Sequence, residues 1–251
     1  MSVDIQISEE AGVRYLHFSS DWVQGAMRVA RPWALELDYT REMMAALLLH
    51  PEPEWPRSAL LIGLGAASLT KFLHRHRPDT KITVIEIEPT VVAAARLHFK
   101  LPDEDARLKI VIGDGAEFVA TAKKRYDLIL VDGYDEECRT GMLETMPFYL
   151  NARRCLSDDG LLVTNMLSRR ADFYESINRL RQAFDGRALA FPSCDSGNVV
   201  AFAAAGEPLR MPLAELQEHA LALKRDTGLN LRPTVSRLST AKSCKGGVLS
   251  L

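Results

Sequence analysis

From Ala59 onward the chain alternates strands with helices, and its strands are unbroken apolar runs such as Ala59-Leu60-Leu61-Ile62 and Leu128-Ile129-Leu130-Val131. A strand that is apolar on both faces has to be covered on both, and helices returning between successive strands do this in a mostly parallel sheet. Strands are expected at 59–62, 81–86, 108–112, 126–132, 160–165, 187–191 and 198–203, seven in all, with helices between most of them. The last two are joined by Pro192 to Gly197, which is too short for a crossover helix. They are therefore expected to pair antiparallel on the sheet edge.

Ahead of this sheet, residues 3–37 alternate in short bursts around the turn signal Glu9-Glu10-Ala11-Gly12, with Val3 in the first burst. The pattern predicts a small amino-terminal β-hairpin element. Met43, Met44, Leu47 and Leu48 recur at helical spacing and predict one helix over 39–50, which Pro51, Pro53 and Pro56 then stop. These signals divide the chain into a hairpin with its linking helix (1–50), a nucleoside-binding α/β domain (51–205) and a carboxyl-terminal helix and tail (206–251). In the last part, 212–226 is an amphipathic helix with Leu213, Leu216, Ala220 and Leu223 on one face. The small and polar composition of 239–251 predicts partial disorder there.

At 251 residues the chain is long enough for one substantial core. Its net charge of −2 gives no electrostatic footprint for collecting phosphates, so nucleic acid is not an expected partner. No stretch approaches the roughly 20 apolar residues of a membrane span, and the first residues lack a signal-peptide pattern. A soluble, cytoplasmic protein without a membrane partner is the expectation. Cys138, Cys155, Cys194 and Cys244 are far apart, and the six histidines are scattered, His74 and His76 among arginines at a helix end. Free thiols and no metal site follow.

In an open parallel sheet the ligand lies at the carboxyl ends of the strands, near the point where strand order reverses. The first strand runs into Gly63-Leu64-Gly65, whose glycines let backbone approach a ligand where a side chain would collide. The second ends in Glu86-Ile87-Glu88, and Glu86 follows Gly65 at the interval of an acid that binds ribose hydroxyls. The third ends in Gly113-Asp114-Gly115, where Asp114 suits either an exocyclic amine such as that of adenine or the cap of the following helix. The fourth ends in Asp132-Gly133-Tyr134-Asp135-Glu136-Glu137, an acidic patch that suits a cationic substrate. An alkylammonium must lose a proton before it can attack, and a carboxylate beside it can take that proton. Asp132 and Asp135 are the candidates for such work, whereas Glu136, Glu137 and Glu88 read as solvated acids.

Together these motifs resemble the spermidine synthase family of polyamine aminopropyltransferases over nearly the whole chain, most closely from Tyr39 to Tyr149. The ordered match comprises the helix with Tyr39 and Glu42-Met43, His50-Pro51-Glu52-Pro53, the glycine turn, Glu86-Ile87-Glu88, Gly113-Asp114-Gly115, and Tyr126-Asp127 leading to Asp132. The resemblance implies a Rossmann-like class I S-adenosylmethionine-dependent methyltransferase fold. It implies aminopropyl transfer from decarboxylated S-adenosylmethionine to putrescine or a related polyamine, without a metal, in a homodimer or higher homo-oligomer. By the same resemblance Glu86 holds the ribose and Asp114 the adenine, with Gln24, Gly63, Gly65, Ile87 and Gly115 completing the donor set. Asp132 is then the base, and Tyr39 and Asp135 orient the amine.

The chain departs from the family at its glycine turn, where Ala66 replaces the acid that anchors the donor's primary amine. It departs also after Asp135, where Glu136-Glu137-Cys138 replaces a Pro-containing loop, and at Asn165, where a glutamine is common. The first departure admits two further readings. One is a methyltransferase using S-adenosylmethionine itself on an unknown acceptor, and the other is a non-catalytic nucleoside-binding homologue.

Overall fold

A computed structural model describes residues 4–18, 22–135, 137, 139–193, 197–241 and 244–251. The expectations for Val3, Glu136, Cys138 and Cys194 lie outside the described residues. The chain opens with β1 (Ile5–Glu10), β2 (Val13–Phe18) and β3 (Val23–Arg28). These form a three-stranded antiparallel sheet, one strand more than the expected hairpin. The single helix expected over 39–50 is instead two short ones, α1 (Asp38–Met43) and α2 (Ala46–Leu49). Residues 42–49 are all buried, so packing on every side overrides helical continuity at Met44 and Ala45.

The alternating region follows as β4 (Ser58–Ile62), α3 (Ser68–His76), β5 (Lys81–Glu86), α4 (Pro89–His98), β6 (Leu108–Ile112), α5 (Gly115–Thr121) and β7 (Tyr126–Val131). It continues as α6 (Met146–Arg154), β8 (Leu156–Leu167), α7 (Phe173–Ala183), β9 (Ala188–Ala190) and β10 (Asn198–Ala204). The seven strands stand in the order β6-β5-β4-β7-β8-β10-β9. β6 to β8 are mutually parallel, and β10 is antiparallel to both of its neighbours. The final two strands do pair antiparallel, but β10 lies inside and the three-residue β9 forms the edge. A pair of buried rings tilted by 30°, Phe191 and Phe202 with centroids 4.3 Å apart, fastens that edge and adds about 0.5–1.5 kcal/mol beyond area burial.

After β4 the chain builds outward to β6, then returns to place β7 on the other side of β4. The reversal of strand order therefore falls between β4 and β7, where a crevice opens above the strand ends.

The carboxyl-terminal part contains β11 (Arg210–Pro212), α8 (Leu213–Thr227), α9 (Arg232–Ser239) and β12 (Val248–Ser250). The disorder expected over 239–251 is corrected for its last residues. β12 pairs with β11, Leu249 is fully buried, and Leu251 is buried at the chain end. One hydrophobic cluster runs from Leu16 and Met27 of the small sheet through the α/β region to Leu249 and Leu251. The three segments thus share a core. Within it, Arg237 and Thr234 of α9 both donate to the buried carboxylate of Glu42 on α1.

Candidate active site

A cavity of about 900 Å³ lies above the β4–β7 crevice, a size suited to a small-molecule ligand. It is lined by Gln24, Tyr39, Gly63, Gly65, Glu86, Ile87, Asp114, Gly115, Asp132 and Asp135, so the structure brings every site residue expected from sequence into one space. Gln24 reaches it from β3 and Tyr39 from α1.

On the β4–β6 side the chain crosses the cavity floor at the glycine turn. Gly63 has φ +93°, and a Cβ there would stand 2.2 Å from the carbonyl oxygen of Asp132. No other residue type fits both the backbone conformation and that approach. Glu86, at the end of β5, is 7% exposed and braces the turn, because its Oε2 accepts from the Leu64 amide at 2.8 Å and its Oε1 from the Glu88 amide at 2.9 Å. Burial pushes its carboxyl up and outweighs the backbone hydrogen bonds from Glu88, Leu64 and Ile87. Each oxygen still has a second lone pair for a hydroxyl donor.

Asp114 caps α5, its Oδ1 accepting from the amides of Ala116 (2.6 Å) and Glu117 (3.1 Å). Its Oδ2 has no partner among the described residues, so the capping and ligand-binding readings are compatible. Gly115 is required for another reason: a Cβ there would meet Ile62 Cγ2 at 2.3 Å, preventing α5 from closing over the end of β4.

On the β7–β8 side, Asp132 accepts from the Tyr39 hydroxyl at 3.1 Å (Oδ2) and from the Asn165 amide at 3.0 Å (Oδ1). Burial raises its carboxyl, and the bonds from Asn165 and Tyr39 offset only part of that rise. Among the described residues no guanidinium or ammonium pairs with it. Asp135 is placed differently. Its Oδ2 pairs with Arg139 Nε at 2.9 Å, and its Oδ1 accepts from the amides of Glu137 and Arg139. Burial would raise its carboxyl, but Arg139 and the loop amides together hold it below the usual range.

Arg139 and Arg170 line the cavity without having been expected in the site, and Asn165, noted only as standing where the family commonly has a glutamine, lines it too. Tyr134 adds to this side by donating to the Asn165 carbonyl at 2.8 Å. Ala66 is 2% exposed and packs against Gly25, whose added Cβ would lie 2.6 Å from the Ala66 Cβ. The backbone of β3 thus closes over the position where the family's acid would stand.

The cavity carries Glu86, Glu88 and Asp114 over β4–β6 and Asp132 and Asp135 on the β7–β8 side. The spermine/spermidine synthase domain model matches residues 37–192, more than half of the chain, including Tyr39, the β4–β8 strand ends and the loops between them that line this cavity, but not β3 with Gln24. The chain belongs to the spermine/spermidine synthase family. It is 35% identical over 243 residues to the polyamine aminopropyltransferase of Neisseria meningitidis serogroup A, covering 97% of this chain and 92% of that one.

Among solved structures, a probable spermidine synthase from Corynebacterium glutamicum matches with a TM-score of 0.72 at 16% identity, covering 90% of this chain and 91% of that one. A spermidine synthase in complex with the transition state analogue AdoDATO matches with a TM-score of 0.68 at 20% identity, covering 94% and 85%. At these identities the likeness establishes the Rossmann-like, methyltransferase-type fold. Among the described residues, no helix is long and apolar enough to cross a membrane.

Proposed function

We propose that this member of the spermine/spermidine synthase family transfers the aminopropyl group of decarboxylated S-adenosylmethionine to putrescine. Family membership makes it an aminopropyl-transferring enzyme, and the choice of putrescine is the finer step. The observation that carries the reading is Asp132, a carboxylate held by two neutral donors on the cavity side opposite Glu86 and Asp114.

In this scheme Glu86 and Asp114 hold ribose and adenine, and the sulfonium lies over the glycine turn. Asp132 takes a proton from the acceptor's ammonium, and the freed amine attacks the carbon bonded to sulfur. The new C–N bond forms as the C–S bond breaks, and the electron pair stays on sulfur. Methylthioadenosine leaves uncharged, so no acid catalyst is required.

Calorimetric titration of the chain with decarboxylated S-adenosylmethionine, S-adenosylmethionine and methylthioadenosine tests the reading. Binding of the decarboxylated donor and of methylthioadenosine is expected. Tight binding of S-adenosylmethionine alone would instead support methyl transfer.

The base assignment also sets a pH dependence. Asp132 works only when ionised, so kcat/KM falls as pH drops through its pKa, which burial places above the ordinary Asp value of about 3.9. Tyr39→Phe removes a hydrogen bond that favours the ionised form. The acid limb of that variant is therefore expected at higher pH than in the parent protein. A limb that stays or moves down would show that Asp132 is not the group being titrated.

A further inference from the structure

Charge is distributed unevenly around the cavity. The β4–β6 side has Glu86, Glu88 and Asp114 and no base, while Arg139, Arg169 and Arg170 all stand on the side of Asp132 and Asp135. Two of these guanidinium groups are neutralised. Arg139 pairs with Asp135 and Glu137. Arg170 pairs at two points with Asp172, donates to Thr140 Oγ1 and has Glu144 3.9 Å away. Arg169 is exposed on the cavity wall, with its Nε 3.8 Å from where a Cβ of Gly197 would be. It has no hydrogen-bond or ion-pair partner among the described residues.

We propose that Arg169 is a charge gate that admits a short diamine and rejects an acceptor carrying a further ammonium. The inference rests on the aminopropyl-transfer reading and specifies which acceptors it covers. A diamine brings one nitrogen to Asp132 and one ammonium to the Asp135–Arg139–Glu137 cluster, which keeps one net negative charge. Among the described residues, the third nitrogen of a triamine finds no unpaired carboxylate on this side and meets the Arg169 guanidinium instead. Like charges a few ångströms apart in a partly enclosed cavity repel, and salt weakens that repulsion. Selection of this kind works by penalising the wrong ligand rather than by improving the right one.

The test measures equilibrium binding of putrescine and spermidine to the full chain saturated with methylthioadenosine, at low and high salt. Arg169→Gln is expected to lower the preference for putrescine over spermidine by at least about tenfold, and Arg169→Glu to lower it further. Arg169→Lys keeps the charge and should keep the preference. Added salt should erode the preference in the parent protein and in Arg169→Lys, with little effect in Arg169→Gln. An unchanged preference in Arg169→Glu, an equal fall in Arg169→Lys, or failure of both amines to bind would each overturn the gate. Methylthioadenosine release from the donor with putrescine is measured separately. A chain that sorts the amines as stated but releases none would overturn aminopropyl transfer and leave the gate standing.

Discussion

Asp132→Asn is expected to lower kcat by at least about a hundredfold, as removal of a general base does, while leaving the affinity for methylthioadenosine within about twofold. The two effects separate because Asp132 lies on the β7 side of the crevice and the nucleoside carboxylates lie on the other. The same variant should be more stable than its parent, which distinguishes loss of a functional group from general damage. The Asp132 pKa is raised in the folded protein. Its contribution to stability is therefore present below the unfolded value of about 3.9 and is lost as pH rises through the folded value. At neutral pH the ionised group is a net burden on the fold. Asparagine resembles the protonated acid, and a flip of the Asn165 amide would turn its Oδ1, unpartnered in the structure, toward the new N–H. Steady-state kinetics and thermal melting at neutral pH check both halves. Retained turnover, or a lower melting temperature, would show that the carboxylate is not a base held at the expense of stability.

Gly63→Ala is expected to be the most damaging single-methyl substitution in the cavity floor. A positive φ of +93° already strains an alanine by about 1–3 kcal/mol. The added Cβ would also meet the Asp132 carbonyl oxygen at 2.2 Å, and backbone on both sides leaves no flexible side chain to yield. A total loss above about 3 kcal/mol is expected in denaturant unfolding, together with loss of donor binding, because the turn also contacts Glu86 through Leu64. A loss below about 1 kcal/mol would mean that the turn and β7 do not approach each other as described.

What sequence could reveal here depended on how local the signal was. Glu86 and Asp114 were legible because each ends its own strand, and the interval from Gly65 carries chemical meaning without knowledge of the fold. Asn165 was not legible as a partner of Asp132. Their bond depends on the pairing of β7 with β8, which no local pattern states. The short link between the last strands revealed that they pair, but not that β10 would slip inside β9. The break at Met44 and Ala45 has no glycine or proline to announce it, since it follows from burial on every side. The pairing of the tail with β11 is likewise non-local. Asp135 shows a different limit. Its position near the site was legible, but the side chain that would occupy it, Arg139, could not be chosen until the loop had a shape.

The link between Glu42 and Arg237 has an evolutionary consequence. Tyr39 reaches Asp132 from the helix that carries Glu42, and that buried carboxylate is answered from α9, far along the chain. Losing the half-exposed Arg237 would leave the buried Glu42 carboxylate with Thr234 as its remaining partner, a larger cost than losing Glu42 as well. Replacement of Arg237 is therefore expected to be tolerated better when Glu42 is replaced by a neutral residue at the same time.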